Sequence, residues 1–208
     1  MTEPAITLHG LPLSGHTHRV ELLLRALDLP YRFVAAPPTV RATPGFRALN
    51  PFGKIPVLED GPIVLPDSNA ILVCLARRHD QKRTWLPDEP VAAALVQRWL
   101  SIAAGELMYG PATARMVTLW NMEGDVHRAR AIAARLLPVM DAHLAGREWL
   151  AADHPTIADL ACYSYVARAP EGRVPLDPFP SIQSWLGRVE ALPFFKPIPH
   201  TPIPDGAP

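Results

Sequence analysis

Proline restricts this chain more than any other residue type. Twenty-five of its 208 residues are proline, and proline has no N–H to donate and a ring that clashes with the preceding helical turn. Helix interiors and central strands are therefore confined to the stretches between prolines. Pro30, Pro44, Pro51, Pro56, Pro62, Pro66, Pro87, Pro90, Pro155 and Pro180 read as punctuation at element boundaries. The segment from Lys196 to Pro204, with a proline at 197, 199, 202 and 204, cannot be a helix or a central strand. It is expected as an extended tail, either draped on the body or loose in solvent. Its proline spacing is read as ordinary tail composition rather than an SH3-type ligand.

Between these breaks the apolar residues have two periods. Ala5 to His9 roughly alternates and reads as a strand, followed by the turn Gly10-Leu11-Pro12-Leu13. A helix begins at Ser14 or Gly15, with Val20, Leu23, Leu24 and Leu27 on one face, and Pro30 stops it. Tyr31 to Ala35 is a second strand, and a strand-helix-strand unit implies parallel strands with a right-handed crossover. A short helix around Phe46 to Leu49 precedes the Asn50-Pro51 turn. Val57 to Glu59 and Ile63 to Leu65 flank Asp60-Gly61-Pro62 as an antiparallel pair, and Asp67 to His79 closes the unit as a helix. This order is the thioredoxin-like arrangement. Residues 80–90 read as a linker in which Trp85 and Leu86 are pinned to one domain. The rest has helical period only: Val91 to about Met116, Glu123 to Ala145, Thr156 to Arg168, and a helix marked by Ile182, Trp185, Val189 and Leu192. The fold class is α/β plus all-α, with a thioredoxin-like domain at residues 1–80 and a helical bundle with a proline-rich tail at 90–208.

Apolar residues make up 49% of the chain, enough for a sizeable core, and 20 basic residues balance 20 acidic ones. That balance gives no global field toward nucleic acid or an anionic membrane. No apolar run is read as membrane-spanning, and Met1 to Pro4 does not read as a leader. Cys74 and Cys162 are expected to be buried, reduced thiols, and no metal site is expected from them. Together these features point to a cytoplasmic protein.

Two segments carry chemistry. In Ser14-Gly15-His16-Thr17-His18-Arg19-Val20 a strand turns into a helix, and Ser14 and Thr17 fill the places a Cys-x-x-Cys redox pair would take. Dithiol chemistry is excluded, but a hydroxyl at a helix start can donate to a thiolate. A hydrogen bond to a charged group contributes about 1.5–3 kcal/mol, and a helix N-terminus about 0.3–1 kcal/mol. Together they lower a bound thiol by roughly 1.5–3 pKa units at ~1.36 kcal/mol each. Ser14 also reads simply as an N-cap. In the second segment, Asn50-Pro51-Phe52-Gly53-Lys54-Ile55-Pro56-Val57 gives a turn and a proline-led strand, and Asp67-Ser68-Asn69-Ala70-Ile71-Leu72 gives a capped helix start. Backbone groups and a helix N-terminus there suit an anionic peptide.

The second segment closely resembles the glutathione site of the soluble glutathione S-transferases, and the resemblance extends over most of the chain. The first is similar to the serine-type members, of theta, delta, zeta or beta-like character, in a bacterial setting. The resemblance implies that Ser14 activates the glutathione thiol, with His16 and Thr17 as further candidates for the sulfur. It implies a cis Pro56, backbone contacts from Ile55 to the cysteinyl part, Lys54 near the glycine carboxylate, and Asp67 and Ser68 on the γ-glutamyl group. Asp67 departs from the more common Glu or Gln.

The expected activity is transfer of glutathione to a small hydrophobic electrophile, as in detoxification, by a homodimer. Glutathione is the co-substrate and no metal is required. The acceptor pocket is expected between the domains, with Leu11, Met108, Tyr109, Ala112 and Trp120 as candidate walls or, alternatively, as ordinary packing residues. Arg128, Arg130 and Arg135 read as a solvated face. Other readings are glutathione-dependent disulfide or peroxide reduction, and a non-catalytic binding or regulatory protein. Thr156-Ile157-Ala158-Asp159 is a capping box with a structural role only.

Overall fold

The computed structural model describes residues 5–207; the expectation placed on Met1 to Pro4 lies outside them. Four strands form one mixed sheet in the order β2-β1-β3-β4. β1 (Ile6–Gly10) runs parallel to β2 (Tyr31–Ala35), as the strand-helix-strand reading requires, with Leu8 opposite Phe33. β3 (Val57–Asp60) pairs antiparallel with β1, and β4 (Ile63–Pro66) antiparallel with β3. α1 (Gly15–Ala26) and α4 (Ser68–His79) pack side by side. Val20, Leu23 and Leu24 meet Ile71, Leu72 and Leu75 in the same core, all fully buried. α2 (Pro38–Arg41), not foreseen from the pattern, and α3 (Pro44–Leu49) fill the crossing to β3.

The C-terminal half is helical: α5 (Pro90–Ala104), α6 (Thr113–Trp120), α7 (Val126–Leu144), α8 (Ile157–Ala167) and α9 (Pro180–Glu190). α8 is its apolar axis, buried along almost its whole length and packed on α1, α4 and α5. The linker is pinned as expected. Trp85 and Leu86 are buried, and the Trp85 carbonyl accepts from Ile157 N–H at 3.0 Å, which fixes the linker to the start of α8.

Three expectations are corrected by the packing. The single helix expected from Val91 to about Met116 is interrupted: α5 ends at Gly105, and a wide turn of π-helical form spans Met108–Ala112 before α6. Pro111 sits inside that turn, where its missing donor accounts for a widened ladder. Counted through the break, Pro90–Trp120 is one 31-residue helical stretch with a mean hydropathy of 1.2 over its most apolar window, long and apolar enough by length and composition to cross a bilayer. Trp99, Leu100 and Ala103 of this stretch are buried in the protein core. Cys162 is buried but Cys74 only half-buried, and both are free thiols. Arg128 and Arg135 are exposed as expected, but Arg130 is half-buried and its guanidinium reaches the Gly172 carbonyl at 3.0 Å and the Thr118 hydroxyl at 3.2 Å.

The proline-rich tail is draped on the body. Ile198 is buried in the core, and the Lys196 carbonyl accepts from His18 Nε2 at 2.6 Å. Lys196 Nζ lies 2.9 Å from Glu21 Oε1, and Arg168 donates to the Ile198 carbonyl.

Candidate functional site

The site is built where two helix N-termini meet. Gly10 ends β1 so close to α1 that a Cβ there would lie 2.3 Å from Thr17 Cγ2, a contact only glycine permits. The chain turns through residues 11–14, and Ser14 caps α1 with extended backbone, its Oγ accepting from Thr17 N–H at 3.3 Å. Asp67 caps α4 in the same way; its Oδ1 accepts from Asn69 N–H at 2.9 Å and Ala70 N–H at 3.0 Å. Asp67 does so at φ +77°, a left-handed conformation that costs an aspartate free energy and is found where surrounding structure demands it.

The two starts are joined by side chains. Ser68 Oγ is 3.2 Å from His16 Nδ1 and accepts from Arg19 Nη1 at 3.3 Å. His16 Nε2 lies 3.3 Å from Met108 Sδ. A thioether can only accept, so the His16 proton resides on Nε2 and Nδ1 accepts from the Ser68 hydroxyl. The result is a directed chain, Arg19 to Ser68 to His16 to Met108, running from the sheet domain to the helical domain. Burial, followed by the positive charges of Arg19 and Lys54, pushes the His16 pKa down to about 3, so the ring is neutral. Arg19 is fully buried; desolvation lowers its pKa, and its Nε and Nη2 make no hydrogen bond among the described residues. Nη1 also donates to Asn69 Oδ1 at 2.9 Å, and Asn69 in turn donates to the Leu100 carbonyl at 3.0 Å.

The loop before β3 carries the next group of expected residues. The Ile55–Pro56 peptide is cis, as the resemblance implies. Asn50 is buried, accepts from Phe52 N–H at 3.1 Å and donates to the Lys54 carbonyl at 2.8 Å, so one amide side chain holds the turn. Gly53 at φ +62° supplies the reversal. Lys54 is exposed and Ile55 half-buried.

Of the expected acceptor walls, Leu11 is half-buried at the turn after β1, and Met108 is half-buried beside His16. Tyr109 is 64% exposed. Trp120 ends α6, roughly 12 Å along the axis from Ala112 at ~1.5 Å per residue, with the Arg115 guanidinium 4.9 Å from its ring. For Ala112 and Thr17 the structure gives packing roles instead. Both are fully buried, and the Thr17 hydroxyl accepts from Leu11 N–H at 3.3 Å.

Sequence reasoning missed Arg19, Asn50, Arg115 and Tyr165 as site residues. Arg115 Nη1 reaches the Leu13 carbonyl beside Ser14 at 2.9 Å, and the Tyr165 ring packs on His16 at 5.0 Å between centroids. Of these only Asn50 had a local signal, its place in the Asn-Pro turn. Among the described residues no group of His, Cys, Asp and Glu is placed to hold a metal ion. A surface groove of about 610 Å³ between residues 170–177 and Gln183 contains none of the site residues.

Comparison with known proteins agrees with this geometry. The family model for the glutathione S-transferase N-terminal domain matches residues 8–83, and that for the C-terminal domain matches residues 105–193. Glutathione S-transferase 3 of Zea mays is 30% identical, with 96% of each chain covered. A glutathione S-transferase structure from Pseudomonas fluorescens superposes with a TM-score of 0.87 at 32% identity, covering 93% of this chain and 98% of that one. A second glutathione transferase family member from that organism, with two glutathione bound, superposes with a TM-score of 0.81 at 28% identity, covering 92% and 90%. Two helix starts linked through His16 and Ser68, a cis proline before β3, and the family's two domain models matched in order lead to one conclusion: the chain belongs to the glutathione S-transferase family.

Proposed function

We propose that the chain binds glutathione where the α1 and α4 N-termini meet, ionises its thiol, and delivers the thiolate to a small hydrophobic electrophile. The observation that carries this reading is the 3.2 Å link between His16 and Ser68, which brings two helix starts to one place. Helix N-termini favour anions through unpaired N–H groups and the aligned peptide dipoles. In this reading the tripeptide's α-carboxylate lies at the start of α4 and its sulfur at the start of α1. The Ser68 hydroxyl is already engaged by His16 and Arg19, so the backbone at 67–68 is the available donor, with Asp67 accepting the ammonium. Ile55 and Lys54 line the remaining length, Lys54 toward the glycine carboxylate. The relative with bound glutathione supports the ligand assignment.

The same reading divides the chain into a glutathione domain at 1–80 and a helical acceptor domain at 90–208. It makes the protein a cytoplasmic homodimer with a detoxifying role. Phe52, 82% exposed, and the exposed Val91 and Leu95 are apolar surface available to a second copy.

Calorimetry with glutathione, followed by ultraviolet titration of the bound thiolate, tests the proposal. Wild type should bind glutathione with a thiol pKa well below the free value of about 8.5. Ser14→Ala should raise that pKa by about one to two units. Binding with an unshifted thiol would instead indicate a non-catalytic binder, and absence of binding at millimolar glutathione would remove the reading altogether.

A further inference from the structure

The fold buries one positive charge without a negative one to balance it. Arg19 of α1 is fully buried, and its Nη1 donates to Asn69 Oδ1 at 2.9 Å and to Ser68 Oγ at 3.3 Å. Those two residues open α4, so the guanidinium is aimed at the N-terminus of a 12-residue helix. Asn69 is fixed in turn by its bond to the Leu100 carbonyl of α5 at 3.0 Å. Nε and Nη2 of Arg19 are buried as well and make no hydrogen bond among the described residues. Buried charges are ordinarily paired, and an arginine does not escape by losing its proton at neutral pH. Yet among the described residues no carboxylate lies within ion-pair distance of Arg19. Asp67, whose field reaches it, is exposed, and its Oδ1 is committed to the N–H groups of Asn69 and Ala70. The Tyr165 ring centroid lies 5.9 Å from the guanidinium carbon, and burial keeps the Tyr165 phenol and the Cys162 thiol protonated, so neither supplies a negative charge.

We propose that Arg19 is a positioning and specificity residue: a buried cation that reserves the start of α4 for the α-carboxylate of the peptide, which brings the missing counter-charge with it. This rests on the glutathione reading above and adds to it a reason why a carboxylate, rather than a neutral group, is selected there. With no exposed surface, the guanidinium does not touch the peptide. It acts in two ways, by fixing the Ser68 and Asn69 side chains through Nη1 and by its field. That field is screened far less in the protein interior than the field of a surface charge, and it adds to the potential of the helix N-terminus. The free protein carries the cost of an unbalanced buried charge, and a bound carboxylate relieves it. No bond is made or broken in this role. It decides which peptide binds, not how readily the sulfur reacts.

The test uses the full chain and two probes. One is glutathione. The other is its analogue with γ-aminobutyrate in place of the γ-glutamyl residue, which keeps the amine, the thiol and the glycine carboxylate and lacks only the α-carboxylate. Calorimetry with wild type comes first; if it binds no glutathione, the functional reading falls and the role of Arg19 with it. If it binds both peptides equally, the functional reading stands and the inference alone is overturned. Wild type should prefer glutathione, and Arg19→Met should shrink that preference about tenfold, mainly by weakening glutathione. A purely structural loss would weaken both peptides alike and leave the ratio of the two Kd values where it was. Should Arg19→Met not fold, Arg19→Gln removes the charge while keeping a donor toward Asn69, and the same ratio is read. Arg19→Lys, which keeps the charge, should recover part of the preference. A ratio unchanged in the neutral variant, or lost as fully in Arg19→Lys, overturns the proposal.

Discussion

Arg115 Nη1 donates to the carbonyl oxygen of Leu13 at 2.9 Å, so a side chain of α6 grips the residue immediately before Ser14. The guanidinium is itself held by Glu171, whose Oε2 lies 2.6 Å from Arg115 Nε with both side chains buried. The other oxygen of Glu171 accepts from Thr201 N–H at 3.1 Å, tying the tail to the same anchor. Removing one member of a buried pair leaves an uncompensated charge and costs about 3–5 kcal/mol. Glu171→Ala should lower stability by about that amount in urea denaturation. It should also lower activity in whatever fraction remains folded, because Arg115 is released from Leu13. A midpoint within experimental error of wild type would show that the pair contributes nothing.

Asp159 carries more than a helix cap. Its Oδ2 accepts from Thr156 N–H at 2.9 Å, and its Oδ1 from Leu150 N–H at 3.0 Å and Trp185 Nε1 at 3.0 Å. One carboxylate thus joins α8, the segment before it and α9. A lost cap costs about 0.5–2 kcal/mol, and each buried donor left unpaired adds about 1–3 kcal/mol. Asp159→Ala should therefore destabilise by about 3 kcal/mol or more, beyond what the capping box alone implies. Equilibrium denaturation gives the value directly, and a loss under 1 kcal/mol would reduce Asp159 to an ordinary cap.

Two neutral histidines should make the fold acid-sensitive. His18 accepts from the Ser164 hydroxyl and donates to the Lys196 carbonyl, and burial pushes its pKa down to about 4; that of His16 is pushed down to about 3. In the unfolded chain both titrate near 6.5. Between these values the unfolded state binds more protons, so stability is full above pH ~6.5 and falls as pH drops toward 4 and then 3. Each histidine contributes a slope of about 1.4 kcal/mol per pH unit in that window. Urea unfolding at pH 7, 6 and 5 should show this decline, and His18→Asn should reduce the slope by about half. An equal slope in the variant would assign the acid sensitivity elsewhere.

Asn50 should act on affinity rather than on chemistry. It holds the turn that presents Lys54, Ile55 and Pro56, through bonds to Phe52 N–H and the Lys54 carbonyl. Asn50→Ala loses two hydrogen bonds of about 1 kcal/mol each. Glutathione binding by calorimetry should weaken by roughly five- to thirtyfold, with the bound thiol pKa unchanged. A shifted thiol pKa at unaltered affinity would place Asn50 in the sulfur site instead.

The sequence was most readable where interactions are local. The Ser14 and Asp67 caps and the Thr156–Asp159 box act over two or three residues, and each stands at a helix start in the structure. Strand alternation placed β1 to β4 within a residue or two, and prolines marked most ends. Reading failed where a break depends on packing. The wide turn around Pro111 lies in a continuous apolar run, and Gly110 there approaches Ala133 of α7 so closely that a Cβ would meet its backbone nitrogen at 3.1 Å.

The family, the two-part fold and the residues opening α1 and α4 were thus determined by order along the chain, since period, caps and turns are short-range properties. Which groups converge on those helix starts was decided only by the tertiary structure. Arg115 meets Leu13 across 102 residues and His16 meets Met108 across 92, while Arg19 and Tyr165 sit in periodic apolar stretches as if ordinary core. No local pattern carries such a contact, because the burial that gives these side chains their chemistry exists only after the two domains have closed on each other.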